Sequence, residues 1–254
     1  MRILLTNDDG IYAPGLQALA AALAAHHRVE IIAPDRERSA VGHAITLHEP
    51  LRIHSVALNA HYRGLAVNGT PADCVKLGIC EVLPERPELV VAGINPGANV
   101  GVNINYSGTV AAAREAALFG LPAIAASVEG RAVVNYDEAA AFVARLAERV
   151  RRRGLPRGTF INVNFPNRPL REIRGVRISR QGCGEFPDRF EKRQDPRNRV
   201  YYWQGGDRQI FEADPDIDGA ALAQDFIAIT PVKCDMTDYA ALAEMQNWDW
   251  HAGD

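Results

Sequence analysis

No run of about 18 or more apolar residues occurs in the chain, so it offers no membrane-spanning helix. No charged start leads into an apolar core either. The first residues go straight into a strand-like run, Arg2-Ile3-Leu4-Leu5, and no secretory leader is expected. Cysteine is scarce. Cys74, Cys80, Cys183 and Cys234 form no CxxC pair and no metal-type Cys/His spacing, which excludes a zinc ribbon or a disulfide framework. They read as reduced thiols in a cytoplasmic protein, with Cys74 and Cys80 packed in a helix. An excess of positive charge is also missing. With 28 Lys and Arg against 31 Asp and Glu, the net charge is -3 and the pI about 6.2, which argues against a general nucleic-acid binder. No GxGxxG follows the first strand, so the dinucleotide fingerprint is absent. Repeats and low-complexity segments are lacking as well.

What is present is an ordinary globular composition, 47% hydrophobic and 23% charged over 254 residues. That is enough for one large α/β domain with an extension, or for two small domains. The chain is organised around Arg2 to Pro14, RILLTNDDGIYAP. A short buried strand runs into Asn7-Asp8-Asp9-Gly10. Two adjacent carboxylates at a strand end repel each other, and a hard divalent cation is the natural counter-charge. Asp9-Gly10 also reads as a plain turn dipeptide. Gly15 to Ala25 has Leu16, Leu19 and Leu23 at helical spacing, and Val29 to Pro34 is a second buried strand. Strand, helix and strand in this order predict a βαβ unit with parallel strands.

The second strand empties into Pro34 to His43, where Ser39 offers a hydroxyl and Arg36 and Arg38 offer charge; taken alone, the segment reads first as an ordinary solvated loop. Ala44 to Ser55 alternates enough to predict a pair of short strands or a ribbon. Thr70-Pro71-Ala72-Asp73 is a helix start with Thr as N-cap and Pro at the first position. Glu88 to Gly93 is a third strand. It opens into the Asn- and Gly-rich loop Ile94 to Tyr106, suited to left-handed turns and to ligand contact. Ser107-Gly108-Thr109 then precedes a helix over Val110 to Phe119. Hydroxyls and free N–H groups at a helix N-terminus can hold phosphate, and Thr109 can equally be a cap.

Pro122 to Ser127, Phe160 to Phe165, Gly175 to Arg180 and Asp225 to Val232 read as further strands, and Asp137 to Arg152 as an amphipathic helix. Arg189 to Arg199 is highly charged and aperiodic, and reads as a mobile loop. Val200 to Gln204 is β-rich, Gly205-Gly206 allows a turn, and Tyr239 to Trp248 is a terminal helix. A core over 1–180 and a C-terminal β arm with a helix over 181–254 are expected, the arm packing on a partner subunit.

Asn7-Asp8-Asp9, Ser39 and Asn95 each follow a predicted parallel strand. The carboxyl ends of such strands share one rim of the sheet, where ligands of open α/β folds bind. The rim would gather two carboxylates, a hydroxyl and an amide beside the phosphate-type helix start at Ser107. Metal-assisted hydrolysis of a phosphate ester is the chemistry this set implies.

At this point the motifs TNDDGIYAPG (Thr6 to Gly15), APDRERSAVGHAITL (Ala33 to Leu47), NGTPADCVKLG (Asn68 to Gly78), GINPGANVG (Gly93 to Gly101) and YSGTVAAAREA (Tyr106 to Ala116) come in one order. In them the chain resembles the stationary-phase survival protein SurE family, metal-dependent 5'/3'-nucleotidases. The resemblance covers the first half closely and the rest more loosely, through ITPVKCDMTDY (Ile229 to Tyr239). It implies one divalent ion per subunit, Mg²⁺ or Mn²⁺, held by Asp8, Asp9, Ser39 and Asn95. It implies phosphate contacts at Asn99, Ser107, Gly108 and Thr109. It also implies a Rossmann-like three-layer α/β/α core with a mostly parallel sheet, an exchanged C-terminal arm, and a homodimer or homotetramer. Some members carry an Asp and a His near the C-terminus that assist catalysis. Asp235 matches that Asp, but Tyr239 stands where the His would be, so an imidazole general acid is absent there.

The resulting expectation is a hydrolase of nucleoside 5'-monophosphates, with Asp8 and Asp9 at the metal and Asp235 a third catalytic candidate. Activity on 3'-monophosphates and short polyphosphate stays open. A rival mechanism makes Asp8 a nucleophile, but the carboxylates are adjacent rather than spaced as DxD. A rival function is a non-catalytic nucleotide-binding or assembly module, whose mark would be a damaged metal set.

Overall fold

A computed structural model describes residues 1–183, 188–206 and 214–250. The first half alternates strand and helix: β1 (Arg2–Thr6), α1 (Pro14–Ala24), β2 (Arg28–Pro34), β3 (Ile53–Ala57), β4 (Arg63–Val67), α2 (Pro71–Leu77), β5 (Leu89–Pro96), α3 (Gly108–Leu118) and β6 (Ala123–Val128). It continues with α4 (Tyr136–Arg153), β7 (Thr159–Phe165), β8 (Gly175–Ile178), β9 (Asp188–Gln194), β10 (Val200–Gly206), α5 (Asp218–Ala223), β11 (Phe226–Lys233) and α6 (Tyr239–Met245). Nine strands form one sheet in the order β3-β4-β2-β1-β5-β6-β7-β11-β8. Its centre, β4 through β7, is all parallel; β3 at one edge, and β11 with its parallel neighbour β8 at the other, run the opposite way.

Strands covered on both faces read as continuous apolar runs, and the period-2 alternation divides each run between two cores. Ile3, Leu5 and Val91 pack with Leu16, Leu19 and Leu23 of α1 and Val143 and Leu146 of α4. Leu4, Val90 and Ala92 point the other way, onto Cys74 and Val75 of α2 and Val110 and Ala113 of α3. Helices on both faces of a mostly parallel sheet give the expected three-layer α/β fold.

Helix starts follow the sequence signals. Thr70 and Asp73 form a reciprocal capping box, Asp73 N to Thr70 Oγ1 at 3.1 Å and Thr70 N to Asp73 Oδ2 at 2.9 Å. Ser107 accepts from Val110 N at 3.1 Å. At α4, Asn135 caps the N-terminus, and Arg151, Arg152 and Arg153 complement the dipole at its other end.

Several expectations are corrected. Ala44 to Ser55 is not a ribbon in itself: β3 begins at Ile53, and its partner is β4, whose RGLAV the pattern did not mark as a strand. Arg189 to Arg199 is not an aperiodic loop. Its first part is β9, paired antiparallel with β10 from Asp188↔Gly206 to Gln194↔Val200, so Gly205 and Gly206 extend a strand rather than turn it. An exposed two-stranded ribbon needs no apolar face, which is why a charged sequence forms it. Cys80 is exposed, whereas Cys74 is buried. Within 181–254, α5 and β11 return to the core, β11 lying inside the main sheet between β7 and β8. Among the described residues of this stretch, the β9–β10 hairpin and α6 lie off the main sheet.

Candidate active site

β1, β2 and β5 are neighbours, and their carboxyl ends open onto one rim. β1 has β2 on one side and β5 on the other, a switch point of strand order and the expected crevice of a doubly wound sheet. Close packing builds the rim. A Cβ at Gly15 would sit 2.1 Å from the Ile94 carbonyl oxygen, and one at Gly108 would sit 2.8 Å from Asp8 Cβ. The starts of α1 and α3 therefore press against β5 and against Asp8 as only glycine allows.

A cavity of ≈ 240 Å³ at this rim is lined by Asp8, Ser39, Asn95, Asn99 and Ser107, with Tyr106 at its side. Five of the residues singled out in the sequence thus meet in one place. Thr109 reaches the same point from below, its hydroxyl donating to Asp8 Oδ1, and Gly108 abuts Asp8. Asp9 is not a lining residue. Burial, with the Asp9 charge added, raises the Tyr136 phenol.

Electrostatics single out the carboxylate pair. Burial pushes Asp8 above the usual carboxylate range, against the Thr109 hydrogen bond. Burial, the Asp8 charge and Glu37 push Asp9 up to about 7. Asp9 Oδ2 is buried without a partner, as are Thr6 Oγ1 and Asn7 Oδ1 in the same turn. Unpaired buried polar atoms are costly, and oxygens gathered beside two mutually repelling carboxylates are what a hard cation would satisfy. Ser39 donates its proton to Glu37, which leaves oxygen lone pairs. Asn95 donates Nδ2 to Gly97 O at 2.7 Å, which leaves its amide oxygen. The donor set is all oxygen and fits magnesium or manganese rather than zinc.

Asn162, Asn164 and Asp218, which brace the rim, escaped the sequence reading. Asn99 is clamped by β6 and β7. Its N–H donates to Asn164 Oδ1 at 2.8 Å, its Nδ2 to Ser127 Oγ at 2.8 Å, and its carbonyl accepts from Asn162 at 2.8 Å and Asn164 at 3.1 Å. The signal was available: Asn162 and Asn164 share one face of the apolar run FINVNF. Further along, Asp218 is fully buried and accepts from Gly101 N at 2.9 Å, Gly182 N at 3.1 Å and Gly219 N at 2.8 Å.

Asp235 is the member that its own chain does not bring to the site. β11 runs antiparallel to β7, so Lys233 pairs with Thr159 at the amino end of β7, and Cys234 N donates to Gly158 O at 2.8 Å. Asp235 therefore lies at the opposite rim from Asp8. There Tyr239 and the Thr237 N–H hydrogen-bond its carboxylate and hold it at about 2. Tyr239, raised in turn by Asp235, is part of this exposed pair and not of the cavity.

Known proteins align with the whole architecture. A family model described as survival protein SurE matches residues 3–188. A 5'-nucleotidase SurE from Desulfatibacillum aliphaticivorans is 58% identical over 98% of either chain. One from Geobacter sulfurreducens is 49% identical over 99% of this chain and 95% of its own. The crystal structure of a SurE protein from Aquifex aeolicus superposes with a TM-score of 0.84 at 37% identity, covering 97% of this chain and 98% of that one. Fold, rim and sequence agree, and the chain belongs to the survival protein SurE family.

Proposed function

We propose that the protein hydrolyses nucleoside 5'-monophosphates to nucleoside and phosphate with one divalent ion, Mg²⁺ or Mn²⁺, per subunit. The observation that carries this reading is the buried Asp8–Asp9 pair, with Asp9 Oδ2 unpartnered, set beside the N-terminus of α3. The relatives named 5'-nucleotidase SurE support the substrate class.

Asp8, Asp9, Ser39 and Asn95 would hold the ion. When bound, it supplies positive charge to the phosphate oxygens and acidifies a water. The chain's own residues do the rest. Ser107 and the free N–H groups at the start of α3 offer donors to phosphate, and Asn99 presents a side chain fixed by Ser127. Thr109 keeps Asp8 in one orientation. Asp8 or Asp9 would orient the attacking water or accept its proton. No imidazole general acid stands at position 239, which is tyrosine.

A homodimer or homotetramer is the proposed assembly. Phe190, Tyr202 and Trp203 on the hairpin, and Leu242 and Met245 on α6, are exposed in the single chain, as an exchanged arm requires. No described helix is long and apolar enough to cross a membrane. The free thiols fit a reducing compartment, and the cytoplasm is the proposed location.

Phosphate release from a panel of nucleoside 5'- and 3'-monophosphates and short polyphosphate, with Mn²⁺, Mg²⁺ or EDTA, tests the proposal. Metal-dependent release from 5'-monophosphates is expected. No release from folded protein with any metal sinks it in favour of a binding module.

A further inference from the structure

The segment that delivers Ser39 to the cavity has no regular structure of its own. From Asp35 to Arg52 it forms only turns and bends, and none of its side chains is buried. Apart from Leu51 at its far end, which packs against the core, hydrophobic packing does not fix it. Ala40, next to Ser39, sits in the left-handed region at φ 55°, which a side chain disfavours. Something must hold this stretch in place.

Polar anchors do so. On one side of Ser39, Arg38 N donates to the Asp8 carbonyl at 2.7 Å. On the other, Gly42 N donates to Tyr106 O at 3.0 Å, and the His43 imidazole lies 2.7 Å from Glu115 Oε2. Further on, Thr46 binds Asp73 through N at 3.0 Å and through Oγ1 at 2.6 Å.

Asp73 is already explained by the capping box of α2. Glu115 is not explained by its own helix. It lies within α3, is buried, and faces His43 at 2.7 Å and Lys76 at 3.7 Å. A buried mid-helix carboxylate is costly unless such partners compensate it. The same helix begins at Ser107 to Thr109. Glu115 thus joins the segment bearing the proposed metal ligand to the helix bearing the proposed phosphate donors.

We propose that Glu115 is a positioning residue: through His43 it pins the Ser39 loop to α3, so that the metal ligand and the phosphate-binding helix start keep one geometry. The inference rests on the metal-dependent reading above and adds to it a residue that touches neither metal nor substrate.

The test is Mn²⁺ binding, read from the free-ion EPR signal, in wild type, E115A, E115Q, H43A, S39A and S39A/E115A. E115A and H43A are expected to bind Mn²⁺ about 10-fold more weakly or worse, the loss typical of groups that orient ligands. E115Q keeps an acceptor oxygen for His43 and is expected to stay nearer to wild type. The double variant is expected to be no weaker than S39A alone, because Glu115 acts through Ser39. Amide exchange over residues 39–46 is expected to quicken in E115A and H43A. Folded E115A and H43A that bind Mn²⁺ as wild type does, or losses that add in S39A/E115A, overturn the inference and leave the metal reading standing. Wild type that binds no Mn²⁺ overturns both. H43A carries the test if E115A fails to fold, since His43 lies on a loop outside the core.

Discussion

At the carboxyl rim of the sheet, polar side chains are buried: Asp8 is 6% exposed and Thr109 fully covered. On the β9–β10 hairpin and α6, large apolar side chains are exposed: Trp203 at 59% and Leu242 at 44%. Both regions invert the usual inside–outside rule. The inversions differ in what resolves them. The rim holds charges that a small ion can neutralise and is braced by hydrogen bonds from β6, β7 and α3. The hairpin and α6 hold apolar area that only another surface can cover. On the proposed reading, one region awaits a ligand and the other a partner.

The comparison breaks most severely at Asp8. Asp8→Asn is expected to lower kcat by about 10³-fold, the scale of several kcal/mol of lost charge stabilisation. The apo variant should melt no lower than wild type, because a desolvated charge is gone. Steady-state phosphate release and thermal melts check the two halves, and unchanged turnover would refute the metal role.

Asn164→Ala removes the clamp on Asn99 and leaves its buried N–H unpaired. A loss of about 1–3 kcal/mol is expected from chemical denaturation, together with a raised KM.

A pH series sharpens the contrast. Asp9 has a folded pKa of about 7, above its ordinary 3.8, so the folded state binds the proton more tightly than the unfolded one. Its stabilising contribution is full below the unfolded pKa and is lost as pH rises through about 7. The apo protein is therefore expected to melt lower at pH 8 than at pH 5. Asp9→Asn should flatten that slope, and saturating Mn²⁺ should oppose it. An apo melting temperature that rises over this interval in wild type, relative to Asp9→Asn, contradicts the assignment.

The smallest effect on folding is expected at the hairpin. Trp203→Ser should leave the melting of the core nearly unchanged while shifting the assembly toward monomer in light scattering. A wild type that is already monomeric removes the hairpin's proposed role.

Much of the rim was legible because its residues follow strands whose apolar runs are unmistakable. Asp8, Ser39 and Asn95 each come directly after such a run. Thr70 and Ser107 were legible because capping is a local interaction, written within three residues. The hairpin was not. β9 buries no face, so its charges carry no period, and only the ladder with β10 makes it a strand. β4 was missed because five residues with a Gly and an Arg leave no pattern, although the strand sits between β3 and β2. Asn162, Asn164 and Asp218 bind backbone distant in sequence, which no local signal encodes. Asp235 illustrates the same limit in reverse. Its motif is local, but its place depends on the direction of β11, which sequence order alone does not fix.

That direction has a practical consequence. Because β11 runs against its neighbour β7, the polypeptide leaves the sheet on the side away from the cavity of its own subunit. A fluorescent domain or an immobilisation linker joined after α6 would hang from the far edge of that subunit and leave its substrate entrance clear. The same attachment made within the Ser39 loop would stand in the doorway.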